Sequence, residues 1–416
     1  NQTSASFSFS SSEGGSSFEC SLDGAPFAAC TSAQGYSGLA EGAHSFQVRA
    51  TDPAGNTDAA PASYFWTVDT TAPAAPVLTE PLDGSFNTSG IVTVAGTAEP
   101  GSSVEVFDGA SSKGLTAADG AGSWTKTLTG VADGAHIYTA KATDAAGNSS
   151  SSSSAHTVTV DTGAPETTIA SGPPNPTNQT SASFSFSSSE GGSSFECSLD
   201  GAAFASCTSA QGYTGLAEGA HSFQVRATDA AGNTDASAAG HSWTIDTSAP
   251  ETTIASGPPN PTNQTSASFS FSSSEGGSSF ECSLDGAPFA SCTSAQGYSG
   301  LAEGAHTFEV RATDAAGNTD GTAAGHSWTV DTTAPETTIA SGPPDPTADT
   351  SASFVFDSSE AGSSFECSLD GAAFATCTSP QDYTSLGAGS HMFEVRATDP
   401  AGNADATAAG YAWTVV

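Results

Sequence analysis

Short stretches of alternating apolar and polar residues run through the whole sequence, separated by clusters of Gly, Pro, Asn and Ser. This period of two is typical of strands that bury one face, and the 3.6-residue period of an amphipathic helix is absent. In the 85 residues from Glu166 to Pro250, seven short half-buried strands predict an all-β fold, an antiparallel sandwich of two sheets. We predict these strands at Thr167–Ala170, at Ala182 to Phe186, at Phe195–Leu199, around Phe204, around Tyr213 and Leu216, at Phe223–Ala227, and around Trp243 and Ile245.

The dipeptide Asp200-Gly201 is a strong signal for a two-residue hairpin turn between the third and fourth strands. Such a turn places Cys197 opposite Phe204 rather than opposite Cys207. A bond between Cys197 and Cys207 is therefore expected to reach past the fourth strand, and to be largely buried because Cys197 shares the inward face.

The sequence repeats itself with the period of one small domain. The block Glu166–Pro250 returns at Glu251–Pro335 with eight changes, and returns again, more diverged, from Glu336. The first copy begins at Asn1, which aligns with Asn178, so we expect this chain to be part of a longer protein. A different domain of about 92 residues is inserted after the first copy. We predict five domains, numbered 1 to 5 below, at residues 1–71, 72–164, 165–250, 251–335 and 336–416.

Eight cysteines form four pairs of identical spacing, one in every domain except domain 2. Two thiols per domain fall short of the four ligands of a zinc site, so one disulfide per domain is the preferred interpretation. Disulfides imply an oxidising, extracytoplasmic location. The predicted pairs are Cys20 with Cys30, Cys197 with Cys207, Cys282 with Cys292, and Cys367 with Cys377.

Basic residues are nearly absent, with 7 Lys and Arg against 44 Asp and Glu, and the formal net charge is −37 at pH 7. Such a surface repels nucleic acid and anionic membranes and attracts divalent cations. No apolar run is long enough to span a bilayer. We therefore expect no nucleic-acid partner and no membrane insertion by this segment. All three lysines, Lys113, Lys126 and Lys141, lie in domain 2.

Several segments resemble the tandem bacterial Ig-like domains of large surface proteins and adhesins. They are GTAEPGSSVEVFDG (96 to 109), KATDAAGN (141 to 148), VRATDAAGN (225 to 233) and WTVDTTAP (328 to 335). The stretches FECSLDGAPFA and LAEGAHSFQVRATDAAGN are similar to a subtype found in long secreted bacterial repeat proteins. The resemblance implies a tandem array of Ig-like or fibronectin-III-like sandwiches in an extracellular, cell-surface protein. It carries no catalytic residues.

No constellation of residues indicates an active site, and we expect a non-enzymatic protein. The histidines that begin the sixth strand, His221 and its counterparts, are interpreted as packed or hydrogen-bonded strand residues. An outward arginine on the same strand, Arg226 in domain 3, is expected to pair across strands with a neighbouring carboxylate.

Oxygen-bearing side chains are placed at the domain junctions by the topology of an Ig-type sandwich. The loops between strands two and three and between strands six and seven lie at the pole where the preceding domain ends. Carboxylate and amide oxygens suit Ca²⁺, so the sequence predicts calcium at four junctions. The four sets are Asp69 with Glu99, Asp144 and Asn148; Asp161 with Glu190, Asp229 and Asn233; Asp246 with Glu275, Asp314 and Asn318; and Asp331 with Glu360, Asp399 and Asn403.

An interpretation without metal is also open at these junctions. The Asp-x-Ala-Gly-Asn loop is a good turn by itself, because Asp caps its own backbone and Gly or Asn adopts the left-handed conformation. The VDTTAP segment is a short linker stiffened by proline. Glu190 is then a solvated surface residue.

Three functions are compatible with these features. The first is a structural array, the stalk or filament segment of a bacterial surface protein, in contact with neighbouring copies or other cell-surface components. The second is a multivalent adhesin whose domains bind glycan or protein, with avidity from repetition. The third is a non-catalytic appendage of a secreted polysaccharide-active enzyme. An exposed row of aromatic residues would favour the second or third, whereas the aromatic residues here mostly occupy core positions and favour the first.

Overall fold

The computed structural model describes residues 1–416, and all of its regular elements are β-strands, 35 in number. It contains no helix with the length and apolar character that a membrane crossing requires. The strands of domain 1 are β1 (Ser4–Phe7), β2 (Ser17–Leu22), β3 (Ala28–Cys30), β4 (Gln34–Ser37), β5 (Gly42–Thr51) and β6 (Ala62–Val68). Those of domain 2 are β7 (Val77–Glu80), β8 (Ser85–Asn87), β9 (Ile91–Thr97), β10 (Ser103–Asp108), β11 (Ser111–Ala117), β12 (Ser123–Thr129), β13 (Gly134–Thr143) and β14 (His156–Val160).

The three remaining domains each have seven strands. Those of domain 3 are β15 (Thr167–Ser171), β16 (Ala182–Ser188), β17 (Ser194–Leu199), β18 (Ala205–Cys207), β19 (Gln211–Tyr213), β20 (Gly219–Thr228) and β21 (Ala239–Ile245). Those of domain 4 are β22 (Thr252–Ser256), β23 (Ser266–Ser273), β24 (Ser279–Leu284), β25 (Ala290–Cys292), β26 (Gln296–Ser299), β27 (Gly304–Thr313) and β28 (Ala324–Val330). Those of domain 5 are β29 (Thr337–Ser341), β30 (Ala352–Ser358), β31 (Ser364–Leu369), β32 (Ala375–Cys377), β33 (Gln381–Tyr383), β34 (Gly389–Thr398) and β35 (Ala409–Val415).

Domain 3 represents the repeated architecture. A three-stranded sheet, in the order β15-β16-β19, faces a four-stranded sheet in the order β18-β17-β20-β21. Seven strands are present as predicted, but β18 begins at Ala205 and leaves Phe204 outside it, and β19 ends at Tyr213 and leaves Leu216 outside it. Strands in substantial contact with one another always belong to the same domain, so neighbouring domains meet through loops and linkers.

The core of domain 3 lies between the two sheets and is built around stacked aromatic rings. Phe184 and Phe223, from opposite sheets, are both fully buried with ring centroids 4.0 Å apart, and Trp243 tilts against Phe184. Full burial of one such side chain contributes about 2–3 kcal/mol relative to exposure. The alternation of Phe with Ser in β16 therefore has a direct physical role, because each Ser faces outward while each Phe fills the core.

The four disulfides join the predicted pairs, and each has a Cα–Cα distance of 5.8 Å. The predicted register was wrong by one residue, because Cys197 lies opposite Ala205 and Cys207 lies opposite Phe195. Asp200 and Gly201 do form the turn, both with positive φ, but one extra residue follows it before the ladder begins. The bond therefore runs diagonally between β17 and the last residue of β18 instead of reaching past that strand.

Domain 2 has a related sandwich with different strand pairing. Its sheets have the orders β12-β9-β7 and β11-β10-β13-β14-β8, and β8 pairs with β14 in parallel. Val92, Val94, Val104 and Val106 lie on strands and form its core together with Trp124. This core contains 11 buried residues, against 8 in domain 3, so the domain without a disulfide has more fully buried core residues.

Candidate metal and contact sites at the domain junctions

Three carboxylates meet at the junction between domains 2 and 3. Asp161 follows β14, Glu190 lies in the β16–β17 loop, and Asp229 follows β20. One oxygen of each lies within 4.8 Å of the others. The same arrangement recurs at the next two junctions, in the sets Asp246, Glu275, Asp314 and Asp331, Glu360, Asp399. The strand topology thus brings together groups that are far apart in sequence, as predicted.

Glu190 is the carboxylate with an unfavourable environment at this junction. Partial burial, followed by repulsion from Asp161 and Asp229, raises the pKa of Glu190 above its ordinary value. Glu275 and Glu360 have raised pKa values for the same reasons. A cation placed among three carboxylates removes such repulsion, and hard oxygen ligands of this kind suit Ca²⁺.

Asp229 is held by its own loop. Its Oδ1 accepts hydrogen bonds from the backbone N–H groups of Gly232 and Asn233, at 2.6 and 2.8 Å. Its Oδ2 accepts one from the Asn233 side-chain amide at 2.8 Å. Burial alone would raise the pKa of Asp229, but these hydrogen bonds outweigh burial and lower it.

The asparagine of each loop joins two domains. Asn233 donates its side-chain amide to the backbone carbonyl of Asp161 at 2.9 Å. We call this contact the amide clamp. It recurs from Asn148 to Asp69 at 3.0 Å, from Asn318 to Asp246 at 2.7 Å, and from Asn403 to Asp331 at 2.8 Å. These four Asn side chains are thus placed at the junctions as predicted, but as donors of hydrogen bonds through their nitrogen atoms.

The junction between domains 1 and 2 has the amide clamp without the carboxylate cluster. Asp69, Glu99 and Asp144 are absent from the groups whose oxygens approach one another. Glu99 opens a tight turn, in which Ser102 N–H donates to its carbonyl, and it is exposed where Glu190 is half-buried. The glutamate of domain 2 is therefore solvent-exposed and does not join a carboxylate cluster.

A second contact between domains was not predicted. The backbone N–H of Asn178 in domain 3 donates to Ala316 in domain 4 at 3.2 Å, and Asn263 does the same to Ala401 of domain 5 at 3.1 Å. In domain 1, the Asn1 side chain donates to Gly147 of domain 2 at 2.9 Å. The sequence feature that could have indicated this contact is the repeated segment TNQT, residues 177–180 in domain 3, which lies beside the linker.

Residues 91–162, most of domain 2, match the family model described as bacterial Ig-like domain. The other domains repeat the two-sheet sandwich with the same junction contacts. Domain 2 thus matches the bacterial Ig-like domain family, and the chain as a whole is a tandem array of Ig-like β-sandwiches. A comparison with curated proteins found no match.

Solved structures with a similar fold include bacterial tandem arrays. A tetra-tandem repeat from the extending region of a large adhesion protein is 18% identical, over 83% of this chain and 100% of its own, with a TM-score of 0.33. A structure from a 1.5-MDa bacterial ice-binding adhesin is 17% identical, over 63% of this chain and 99% of its own, with a TM-score of 0.34. Fibronectin(III)-like modules of Clostridium thermocellum CbhA are 20% identical, over 40% and 92%, with a TM-score of 0.28. The fold assignment itself rests on the family match and the strand topology.

Every Ig-like domain also contains a histidine bonded at both ring nitrogens. In domain 3, His221 Nδ1 lies 2.8 Å from Asp200 Oδ2, and Nε2 lies 2.8 Å from the Ala217 carbonyl. The bond to Ala217 and then the bond to Asp200 raise the pKa of His221. The interpretation of this histidine as a hydrogen-bonded strand residue is confirmed. The other pairs are His44 with Asp23, His136 with Asp108, His306 with Asp285, and His391 with Asp370.

The predicted cross-strand pair of Arg226 is confirmed as well. Its Nε and Nη2 donate to Glu196 Oε2 at 3.0 and 2.8 Å, and its guanidinium lies 4.3 Å from the centre of the Phe204 ring. The same group recurs in the three other disulfide-bonded Ig-like domains. These arginines are therefore engaged within their own domain.

Proposed function

We propose that this protein is a non-catalytic stalk, a segment of a bacterial surface protein that holds other components away from the cell. Five domains of a fold typical of non-catalytic modules follow one another through linkers of a few residues. The observation that carries the proposal is the amide clamp at all four junctions, because it ties each linker to the domain that follows. An array with restrained junctions keeps its length, as a spacer must.

The location of aromatic side chains supports the stalk over the adhesin. The exposed aromatic residues, Tyr64, Phe65 and Phe86, lie in domains 1 and 2. They do not recur in domains 3 to 5, where repetition would supply avidity. The disulfides and the acidic surface fit an extracellular location. Neighbouring copies or other cell-surface components are the partners that a stalk would have.

We also propose that Ca²⁺ occupies the three junctions that have the carboxylate cluster. The cluster recurs with the same three residue types, and the glutamate in each is destabilised as an anion by its neighbours. A bound ion would supply the missing counter-charge and hold the linker more firmly than the amide clamp alone. Glu99 is not part of this proposal.

Small-angle scattering of the full chain tests the stalk. Strands rise by about 3.3 Å per residue, so one sandwich is roughly 35–40 Å long and five in line reach on the order of 180 Å. We expect a rod-like particle whose maximum dimension approaches that value in calcium-containing buffer. A compact particle, with domains folded back on one another, would contradict the proposal.

A further inference from the structure

Domain 2 has a cleft that the stalk function does not use. It lies between β12 with the loop that follows it on one side and β10, β11 and β13 on the other. Its volume is about 530 Å³, within the range of sites for small molecules. The walls carry charged, hydroxyl-bearing and apolar side chains together.

The cleft concentrates positive charge in a chain that has very little. Of the three lysines in the sequence, Lys113 and Lys126 both line it, and His136 lies beside them. His136 contacts Asp108 at 2.8 Å and the Ala132 carbonyl at 2.9 Å, so each ring nitrogen faces an acceptor. Burial opposes the charged form, but these two bonds outweigh it and raise the pKa of His136. Asp108 is the one carboxylate among the lining residues, and it contacts both His136 and Lys113, whose Nζ lies 3.4 Å from Asp108 Oδ2, so Lys126 is the cation of the cleft without a carboxylate partner.

Lys126 is positioned by the fold rather than left on the surface. It occupies an inward position of β12 between Trp124 and Leu128, and its ammonium donates to the Leu115 carbonyl on β11 at 3.2 Å. An ammonium group has three protons to donate, so two remain for a ligand.

Tyr138 is the second, independent observation. It lines the cleft, is fully buried, and its hydroxyl has no hydrogen-bond partner. Burial and the nearby Asp108 raise the pKa of Tyr138 to about 12, so the hydroxyl keeps its proton. The aligned residue in domain 3 is Phe223, which fills the same core position without a polar atom. An unpartnered buried hydroxyl is costly, and a ligand that accepts a hydrogen bond would relieve it.

We propose that this cleft binds a carboxylate-bearing sugar of about the size of one hexuronic acid. Lys126 and Lys113 would bind the carboxylate as point charges, and Leu128 and Val131 would contact the apolar face of the ring. The threonines of β12 at the rim would pair with ring hydroxyls. The inference concerns domain 2 alone and does not depend on the stalk.

A structural explanation exists for Lys126, because an inward-pointing charge on an edge strand prevents pairing with another chain. That role requires neither Lys113 nor the tyrosine hydroxyl. It predicts that removal of the charge promotes self-association and changes no binding.

Isothermal titration of the full chain with glucuronate tests the proposal. We expect saturable binding at one site per chain, with much weaker binding of glucose, which lacks the charge, and of acetate, which lacks the ring. Lys126→Gln should weaken binding about tenfold or more, as expected for loss of a charged hydrogen bond. Tyr138→Phe should weaken it without loss of thermal stability.

Lys141→Gln is the matched control, because Lys141 lies in the same domain but outside the cleft, near Phe107. It should bind glucuronate as the unmodified chain does. The proposal is wrong if glucuronate gives no saturable heat, or if the Lys126 and Tyr138 variants bind it unchanged. If the unmodified chain binds no glucuronate and the Lys126→Gln variant self-associates, the role of Lys126 is to prevent β12 from pairing with another chain.

Discussion

Asn318 donates its side-chain amide to the backbone carbonyl of Asp246 at 2.7 Å, although the two residues belong to successive domains. The same amide donates to Asp314 within its own loop at 2.8 Å. The linker is therefore bonded to a loop that is already held in shape. At this junction the side-chain clamp and the backbone hydrogen bond from Asn178 to Ala316 together restrain the orientation between the domains.

Replacement of Asn318 with alanine should loosen the junction between domains 3 and 4 and leave both domains folded. The clamp is worth about 1 kcal/mol, the net value of a typical hydrogen bond. Fluorescence energy transfer between labels in the two domains should show a broader distance distribution. Asn56→Ala is the control, because Asn56 bonds Asp52 of its own loop and no other domain. A distribution as narrow as that of the control would show that the clamp does not restrain the junction.

Calcium binding should show three sites per chain rather than four. Glu275→Gln should remove one of them, because it removes a ligand from a complete cluster, whereas Glu99→Gln should remove none. Affinity should fall as the pH falls through the raised pKa of Glu275, since the protonated carboxyl no longer binds the ion. Native mass spectrometry or calorimetry can count the ions. Four sites, or equal effects of the two substitutions, would contradict the geometry.

The His–Asp pairs should make domain stability depend on pH in a defined direction. The pKa of His306 is raised on folding, so its contribution is complete below its unfolded value near 6.5 and is lost as the pH rises through the folded value. The pKa of Asp285 is lowered because the hydrogen bonds from Thr307 and His306 outweigh burial. That contribution is lost only as the pH falls below about 3.8.

Asp285→Asn isolates this pair, because asparagine keeps the oxygen that accepts from Thr307 and tolerates the positive φ at this position. The substitution should destabilise domain 4 more at about pH 5.5 than at about pH 9, because the charge interaction is lost as the pH rises through the folded pKa of His306. Thermal unfolding at the two pH values measures the difference. Equal destabilisation at both would show that the pair carries no net charge interaction.

Reduction of the disulfides should lower the thermal stability of four domains and leave that of domain 2 unchanged. Each bond closes a short loop, with a sequence separation of 10, so the chain-entropy model gives somewhat under ~3 kcal/mol per domain. For domains of this size, that corresponds to a fall in unfolding temperature of roughly 10–20 °C. Calorimetry with and without reductant should show four domains shifted and domain 2 unchanged. A uniform shift would contradict this assignment.

The strands were predictable because alternation of Phe and Ser in β16, or of Phe, Cys and Leu in β17, determines which face is buried. The register of β18 was not predictable from the sequence. A single extra residue after Gly201 leaves the turn unchanged, but it shifts the pairing of every residue of β18 with β17 by one position. The extra residue places the Phe204 ring on the outer face beneath Arg226, and no alternation rule records that contact.

At the junctions, residue types and loop positions were enough to place Asp161, Glu190 and Asp229 together. They were not enough for Glu99, whose direction depends on the turn that Pro100 and Gly101 impose on its loop. The contact of Asn178 with Ala316 depends on how two rigid domains meet, and a pattern within one repeat has no information on that arrangement.

The first and last strands of each sandwich leave it at opposite poles, so tension along the array would pull them past each other. In domain 3 the segment that follows the first strand, β15, is joined to the last strand, β21. Thr177 bridges Ile245 in parallel, with hydrogen bonds from the Thr177 N–H to the Thr244 carbonyl and from the Asp246 N–H to the Thr177 carbonyl. These bonds lie across the pulling direction and must be sheared together rather than opened one after another. In domain 2 the parallel contact extends over three residue pairs, from Ser85 to Asn87. The domain that lacks a covalent crosslink thus has the longer sheared contact, and domains 3, 4 and 5 each have the short one.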